Sequence, residues 1–143
     1  MSPIEIRGLT VRRPWAACIA SGRKTIENRS RPVNYRGLLA IHSSVGKFEE
    51  TALFSPAVLE ALSFAPGQSF RAGRIVAVAR LTGCHPASEA CESPWCDPSS
   101  PWHWELADIR ALVATIPANG ALGLWAVAPD AVAEIETELE MAR

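Results

Sequence analysis

Lys24 and Glu27 stand three residues apart in the run Gly22-Arg23-Lys24-Thr25-Ile26-Glu27-Asn28-Arg29. An amine and a carboxylate at this spacing can act as an acid/base pair, or as a phosphate anchor beside an acceptor for a base's exocyclic amine. The plainer reading is an exposed lysine after a helix and a surface ion pair between Glu27 and Lys24 or Arg29. Arg12, Arg29 and Arg31 carry guanidinium forks that match pairs of phosphate oxygens. Asn28 can read a base edge or brace its own loop. Trp15 reads first as a core side chain, since large aromatics are mostly buried, and second as a stacking platform for a nucleobase. Tyr35, the one tyrosine, lies in the polar segment and offers stacking or a hydroxyl contact. His42 ends an apolar run and reads as a hydrogen-bonded structural histidine, with general-base chemistry as the alternative. Ser43 and Ser44 follow it without an Asp placed for a triad, so serine catalysis is not expected.

Cys84, Cys91, Cys96 and His103 raise the question of zinc, because thiolates and imidazoles suit a tetrahedral site. The spacing is Cys-His-x5-Cys-x4-Cys-x6-His, without a Cys-x2-Cys knuckle. Small thiols under an irregular loop are the preferred reading, and no cofactor is expected. Strand alternation places His103 opposite its neighbours Trp102 and Trp104, aimed at the cleft where a ligand would enter.

The charge of the chain is lopsided. Between Arg7 and Arg36 there are eight Lys or Arg and one acid, Glu27, although the whole chain carries a formal charge of −1. A cationic lobe and an acidic remainder point to an anionic partner on one face, or to a solvated rim paired with the protein's own acids. At 143 residues one domain over residues 1–143 is expected, with a real core. No segment has the length of a membrane span, and the N-terminus has no signal-peptide layout. A cytoplasmic setting is expected, with the four cysteines as thiols rather than disulfides.

The elements that must position these groups follow from periodicity and breakers. Residues 4–11 alternate as a strand. Pro14 opens a short amphipathic helix, which Gly22 ends in a left-handed stop. Residues 38–42 read as a buried strand. Residues 48–64 read as two short helical pieces, or as one helix that begins near Ser55 with Pro56 in its first turn. Residues 73–83 alternate with apolar side chains on both faces, as in a central strand. Residues 84–101 read as a loop. Residues 102–106 and 109–116 read as two extended pieces, and 122–127 as a last strand after an Asn119-Gly120 turn. A C-terminal helix over about 129–142 presents Ala131, Val132, Ile135 and Leu139 as a stripe. Strands outnumber helices and do not alternate with them, which predicts an α+β protein built on a small, largely antiparallel barrel.

The segments Thr10-Val11-Arg12-Arg13-Pro14-Trp15-Ala16, Gly22 through Arg29, Tyr35-Arg36-Gly37 and Ile41-His42 together resemble the signature of the ASCH domain. Gly120-Ala121-Leu122-Gly123-Leu124-Trp125 is similar to the last strand of its small bacterial members. The resemblance covers about residues 6–127. It implies a PUA-like fold, a small β-barrel with flanking helices, and binding of RNA or a nucleotide-type ligand at the helix-to-strand segment. It also implies a second activity, since some small relatives are metal-independent amidohydrolases that remove an acyl group from a cytidine's exocyclic nitrogen, and a nuclease role is attributed to others. Lys24 matches the lysine of the amidohydrolase type. The position of its threonine, three residues on, is Glu27 here.

The sequence therefore ranks RNA or nucleotide binding first, with Arg12, Trp15, Lys24, Glu27, Asn28, Arg29, Arg31, Tyr35, His42 and His103 as the ligand-binding set. Hydrolysis of a modified nucleoside or of RNA by Lys24 and Glu27 comes second. A protein-interaction module that uses the acidic C-terminal helix comes third.

Overall fold

The computed structural model describes residues 4–141; the first three residues and the predicted helix end at Ala142 lie outside the described residues. The elements in order are β1 (Ile6–Val11), α1 (Trp15–Ala20), β2 (Ile26–Arg29), β3 (Gly37–Ser43), α2 (Pro56–Phe64), β4 (Arg74–Pro86), β5 (Trp102–Pro117), β6 (Leu124–Ala126) and α3 (Pro129–Met141), with short 3-10 turns at Glu50–Phe54 and Gly67–Phe70. The strands form one mixed sheet in the order β2-β5-β4-β3-β1-β6. β1 and β3 run parallel, and the other neighbouring pairs are antiparallel.

The α+β class is as the sequence predicts, but the closed barrel is not. β2 and β6 are the two edges of the sheet and do not pair with each other. The long β4–β5 ribbon shifts register at Ile75/Ala77, Val78/Arg80 and Leu81/Gly83, and Asp108 takes a φ of 50°. Such bulges add twist and bend. The sheet curls far enough to bring β2 towards β1, and a side chain rather than a strand ladder spans the remaining gap. The same shifts explain why the two predicted pieces at 102–106 and 109–116 are one 16-residue strand: the alternation slips at each bulge.

β4 is central, as its two-sided apolar pattern predicts, and Ile75, Val76, Ala77, Val78, Ala79 and Leu81 are all buried. One core layer packs Leu9, Val11, Ile19, Leu39, Ile41 and Trp104 between the sheet and α1. The other packs Ile75, Leu112 and Ile116 against Ala131 and Ile135 of α3. The predicted α3 stripe is thus the buried one. Glu138 fastens the helix to β5 by accepting from the main-chain amides of Val113 and Ala114 at 2.9 and 2.7 Å.

α1 is six residues long, a length that would not hold by itself in water. Its stability comes from burial, since Ala16, Ala17, Cys18, Ile19 and Ala20 are all in the core. Gly22 ends it with a φ of 82°, the left-handed conformation that glycine adopts without strain. Pro14 stands at the N-cap rather than inside the helix. Ser55 caps α2, accepting from the amide of Val58 at 3.4 Å, with Pro56 in the first turn as predicted. The sequence reading gave no strand over 26–29. β2 forms there as a four-residue edge, pairing Ile26 with Glu105, Glu27 with Trp104, Asn28 with His103 and Arg29 with Trp102.

Candidate functional site: a cleft between the sheet edges

A cleft of about 1050 Å³ opens where β1 and β2 approach, walled by the start of α1, the 94–97 loop and the 118–123 loop. Arg12, Trp15, Lys24, Glu27, Asn28, Arg29 and His42, all predicted, line it.

At its base lies a charged row. The Lys24 side chain is 2 % exposed. Its Nζ donates to the carbonyl of Ile26 and lies 3.5 Å from Oε1 of Glu27. It also sits 5.5 Å from the ring centre of Trp15 and 5.7 Å from that of Trp95, within cation–π reach of both. Burial lowers the pKa of this amine from its ordinary 10.5, and the Glu27 carboxylate pulls it back up. Glu27 is pinned from the other side by Arg29, whose Nε and Nη2 both lie 3.0 Å from Oε2. The plainer sequence expectation, a surface ion pair, is instead a triad of buried Lys24, buried Glu27 and half-buried Arg29. A buried ion pair is by itself weak evidence of added stability, whereas removal of one partner leaves the other charge uncompensated.

Other predicted residues have structural roles. Asn28 braces a loop: its Nδ2 donates to the carbonyl of Trp95 and its Oδ1 accepts from the amide of Asp97, both at 3.0 Å. This pair of bonds holds Trp95 beside Lys24. His42 lines the cleft with both ring nitrogens engaged, Nε2 2.8 Å from the carbonyl of Ala118 and Nδ1 3.2 Å from Oγ1 of Thr10. The Thr10 hydroxyl also accepts from Nε1 of Trp125 at 3.1 Å. The chain is complete when His42 is neutral with its proton on Nε2. Gly120 closes the lip over this group: a Cβ there would come within 2.8 Å of the His42 ring.

Three predicted residues are elsewhere. Tyr35 donates its hydroxyl to the carbonyl of Leu38 at 2.8 Å, under the guanidinium of Arg7, and does not line the cleft. Arg31 is exposed beyond β2, and its carbonyl accepts from Nε1 of Trp104 at 2.9 Å. His103 does face away from Trp102 and Trp104, but it is buried under the 87–101 loop, with Nε2 2.7 Å from the carbonyl of Asp97.

Of the four zinc candidates, Cys84 is set apart from Cys91, Cys96 and His103. Cys84 is a free thiol packed against the main core, because it sits one position before His85 on β4 and faces the other way. Cys91 and Cys96 are joined as a disulfide, which corrects the expectation of four thiols. Their spacing of five leaves the loop short enough for its two ends to meet.

The cationic lobe is also more dispersed than its sequence implies. Arg13 donates to the carbonyl of Gly46, Arg23 lies over Phe64 and Arg36 closes its own turn on Val33 and Tyr35. Of the eight basic residues, Arg12, Lys24 and Arg29 line the cleft. Arg12, with 76 % of its side chain exposed, meets Oε1 of Glu49 at 3.1 Å. Glu49 also accepts from Nε1 of Trp15 at 3.0 Å. Glu49, Trp95 and Thr10 were missed by the sequence reading. The Pro94-Trp95 pair in a polar loop was a usable signal for an exposed aromatic. Glu49 and Thr10 carried none, since the curl of the sheet brings Thr10 to the cleft and the docking of the loop after β3 on Arg13 brings Glu49.

Among the described residues no helix is long and apolar enough to cross a membrane. No curated protein sequence matches the chain. A similar solved structure is the crystal structure of ASCH from Zymomonas mobilis, 12 % identical with a TM-score of 0.56, covering 92 % of this chain and 94 % of that one. At that identity the likeness shows the fold alone, and that fold is PUA-like. The ASCH domain model matches residues 9–115, a span that runs from β1 into β5 and holds most of the cleft, and the chain belongs to the ASCH domain family.

Proposed function

We propose that this protein binds single-stranded RNA, taking one base into the cleft between β1 and β2. The observation that carries this reading is the pairing of two tryptophans, Trp15 and Trp95, around a buried Lys24–Glu27–Arg29 row. Aromatic walls suit the faces of a base, and an amine beside a carboxylate suits the donors and acceptors along its edge. Arg12 at the rim is free to exchange Glu49 for a phosphate, and exposed Arg31 extends the path beyond β2. RNA, rather than another anion, is the ligand class that membership in the ASCH family favours.

The test is a titration of a fluorescent single-stranded RNA with wild type, Lys24→Ala and Trp95→Ala at two salt concentrations. Two or three phosphate contacts give a log–log salt slope of about −1.4 to −2. Binding that is equal in all three proteins, or insensitive to salt, overturns the reading.

One observation favours a second reading. An amine drawn towards its neutral form by burial, 3.5 Å from a carboxylate, is also a candidate acid/base pair for removing an acyl group from a modified cytidine. Incubation of wild type and Lys24→Ala with N4-acetylcytidine separates the two: product from wild type alone would give the enzyme reading first place.

A further inference from the structure

Beside the cleft, under the loop that joins β4 to β5, four side chains converge, and one of them, Cys96, also lines the cleft wall. Nδ1 or Nε2 of His85 and His103 and the sulfurs of Cys91 and Cys96 all lie within 4.8 Å of one another. Nε2 of His85 is 3.2 Å from Nδ1 of His103 and 3.9 Å from Sγ of Cys96.

The outer hydrogen bonds of the two imidazoles decide what faces inward. Nδ1 of His85 lies 3.0 Å from Oε2 of Glu105, a carboxylate that can only accept, so this nitrogen carries the proton. Nε2 of His103 lies 2.7 Å from the carbonyl of Asp97, so it too carries the proton. In the neutral rings both inner nitrogens are then bare lone pairs aimed at each other across 3.2 Å. Two acceptors so placed repel unless a cation stands between them. A carboxylate behind one histidine and a main-chain carbonyl behind the other is the outer arrangement that fixes zinc-bound imidazoles. The spacing of the two nitrogens fits as well, since a tetrahedron with Zn–N of about 2.0–2.1 Å places them about 3.3 Å apart. The two sulfurs, bonded to each other in this structure, must part to about 3.8 Å, the separation set by Zn–S bonds of about 2.3 Å.

We propose that, in the reduced protein, His85, Cys91, Cys96 and His103 hold one Zn²⁺ in a tetrahedral two-sulfur, two-nitrogen site that fastens the 87–101 loop over the sheet. The disulfide is the alternative closure of the same loop. Conversion begins with a dithiol reductant: the Cys91–Cys96 bond breaks, two electrons and two protons pass to the cysteines, and the reductant leaves as its own disulfide. Zn²⁺ then displaces the two thiol protons to solvent. Soft sulfur and imidazole donors in this geometry select zinc over magnesium or calcium. Glu105 is a positioning residue here, held in place because Gly83 has no side chain: a Cβ there would lie 3.0 Å from its carboxylate. The site differs from the sequence-level candidate in one ligand, His85 for Cys84.

The site bears on the cleft through the loop it closes. Trp95 is next to Cys96, and the Asp97 carbonyl that holds His103 belongs to the residue whose amide binds Asn28.

The experiment is Zn²⁺ and Co²⁺ titration of the full chain, reduced and oxidised, with metal counted per chain. Reduced wild type is expected to take up one Zn²⁺, and its Co²⁺ form to show the strong visible bands of tetrahedral thiolate coordination; the oxidised protein takes up none. Cys96→Ser and His85→Ala lose binding, Cys84→Ser retains it, and Glu105→Gln weakens it about 10–100-fold. The comparison of reduced with oxidised wild type needs no variant to fold. Reduced wild type that takes up no Zn²⁺, uptake undiminished by oxidation, or loss of uptake in Cys84→Ser rather than Cys96→Ser overturns the proposal.

Discussion

Arg29 on β2 donates from Nη2 to the main-chain carbonyl of Thr10 on β1 at 2.8 Å, although β5, β4 and β3 stand between these strands in the sheet. One guanidinium thus spans the gap that a barrel would close with a ladder. The same group holds Glu27, so the cleft and its charged base share a single fastening. Arg29→Ala is expected to lower unfolding stability by about 2 kcal/mol, through the unpaired Thr10 carbonyl and a carboxylate left with Lys24 alone. Urea denaturation measures this. Arg29→Lys should recover little of the loss, because a single ammonium lacks the planar fork that reaches the Glu27 carboxylate and the Thr10 carbonyl together.

Lys24→Met separates binding from folding. Glu27 keeps Arg29, and the methionine stem fills the space between Trp15 and Trp95. Stability should stay within about 1 kcal/mol of wild type or rise, while RNA affinity falls at least tenfold for the lost contact to the base. A Lys24→Met protein that unfolds readily but binds RNA normally would contradict both halves.

The pH dependence follows from two neighbouring groups of opposite sense. Burial lowers the Lys24 pKa from 10.5. Between that lowered value and 10.5 the unfolded chain binds the extra proton, so this group makes stability rise with pH. Burial pushes the Cys18 thiol from 9.0 up to about 11. Between those values the folded chain holds the extra proton, so Cys18 makes stability fall with pH. Urea midpoints from about pH 8 to about pH 10 should therefore rise less steeply, or fall, in Lys24→Met, and rise more steeply in Cys18→Ala.

Trp95 lines the cleft and also packs against the cluster of Cys18, Ala52, Val58 and Ala61. It is half-buried, and the hydrogen bond to Asn28 uses its main-chain carbonyl, which survives truncation. Trp95→Ala should lower stability by about 1–3 kcal/mol, for the lost packing on that cluster, and weaken RNA binding about 5–150-fold, the range of one lost base–aromatic stack. Fluorescence titration and urea denaturation on the same preparation test the two parts.

Gly120→Ala places a methyl group against the Thr10 hydroxyl and the His42 ring. The lip at 118–123 must move away, and His42 loses its bond to the Ala118 carbonyl. A loss of about 1–3 kcal/mol is expected. Slow amide hydrogen exchange should persist over residues 78–81 of β4, because that half of the strand pairs with residues 37–40 and 106–110, away from the lip.

The local elements were legible because their signals are local. Gly22 ends α1, Ser55 and Pro56 begin α2, the Ala131–Ile135 stripe of α3 packs inward, and the 75–81 run is central. Each follows from a breaker, a cap or a period that neighbouring residues supply by themselves. The ASCH signature in residues 10–42 likewise identified the family, and seven of the ten predicted ligand residues do line one cleft. What the sequence could not decide was which distant groups meet. Whether the barrel closes depends on where β4 and β5 slip register, and each slip reverses the face of every residue beyond it. Glu27 looked like a surface acid until strand pairing set it opposite Trp104 and buried it between Lys24 and Arg29. His85 and Cys84 are adjacent and equally plausible ligands in the chain; the alternation of β4 alone turns one towards Cys96 and His103 and the other into the core.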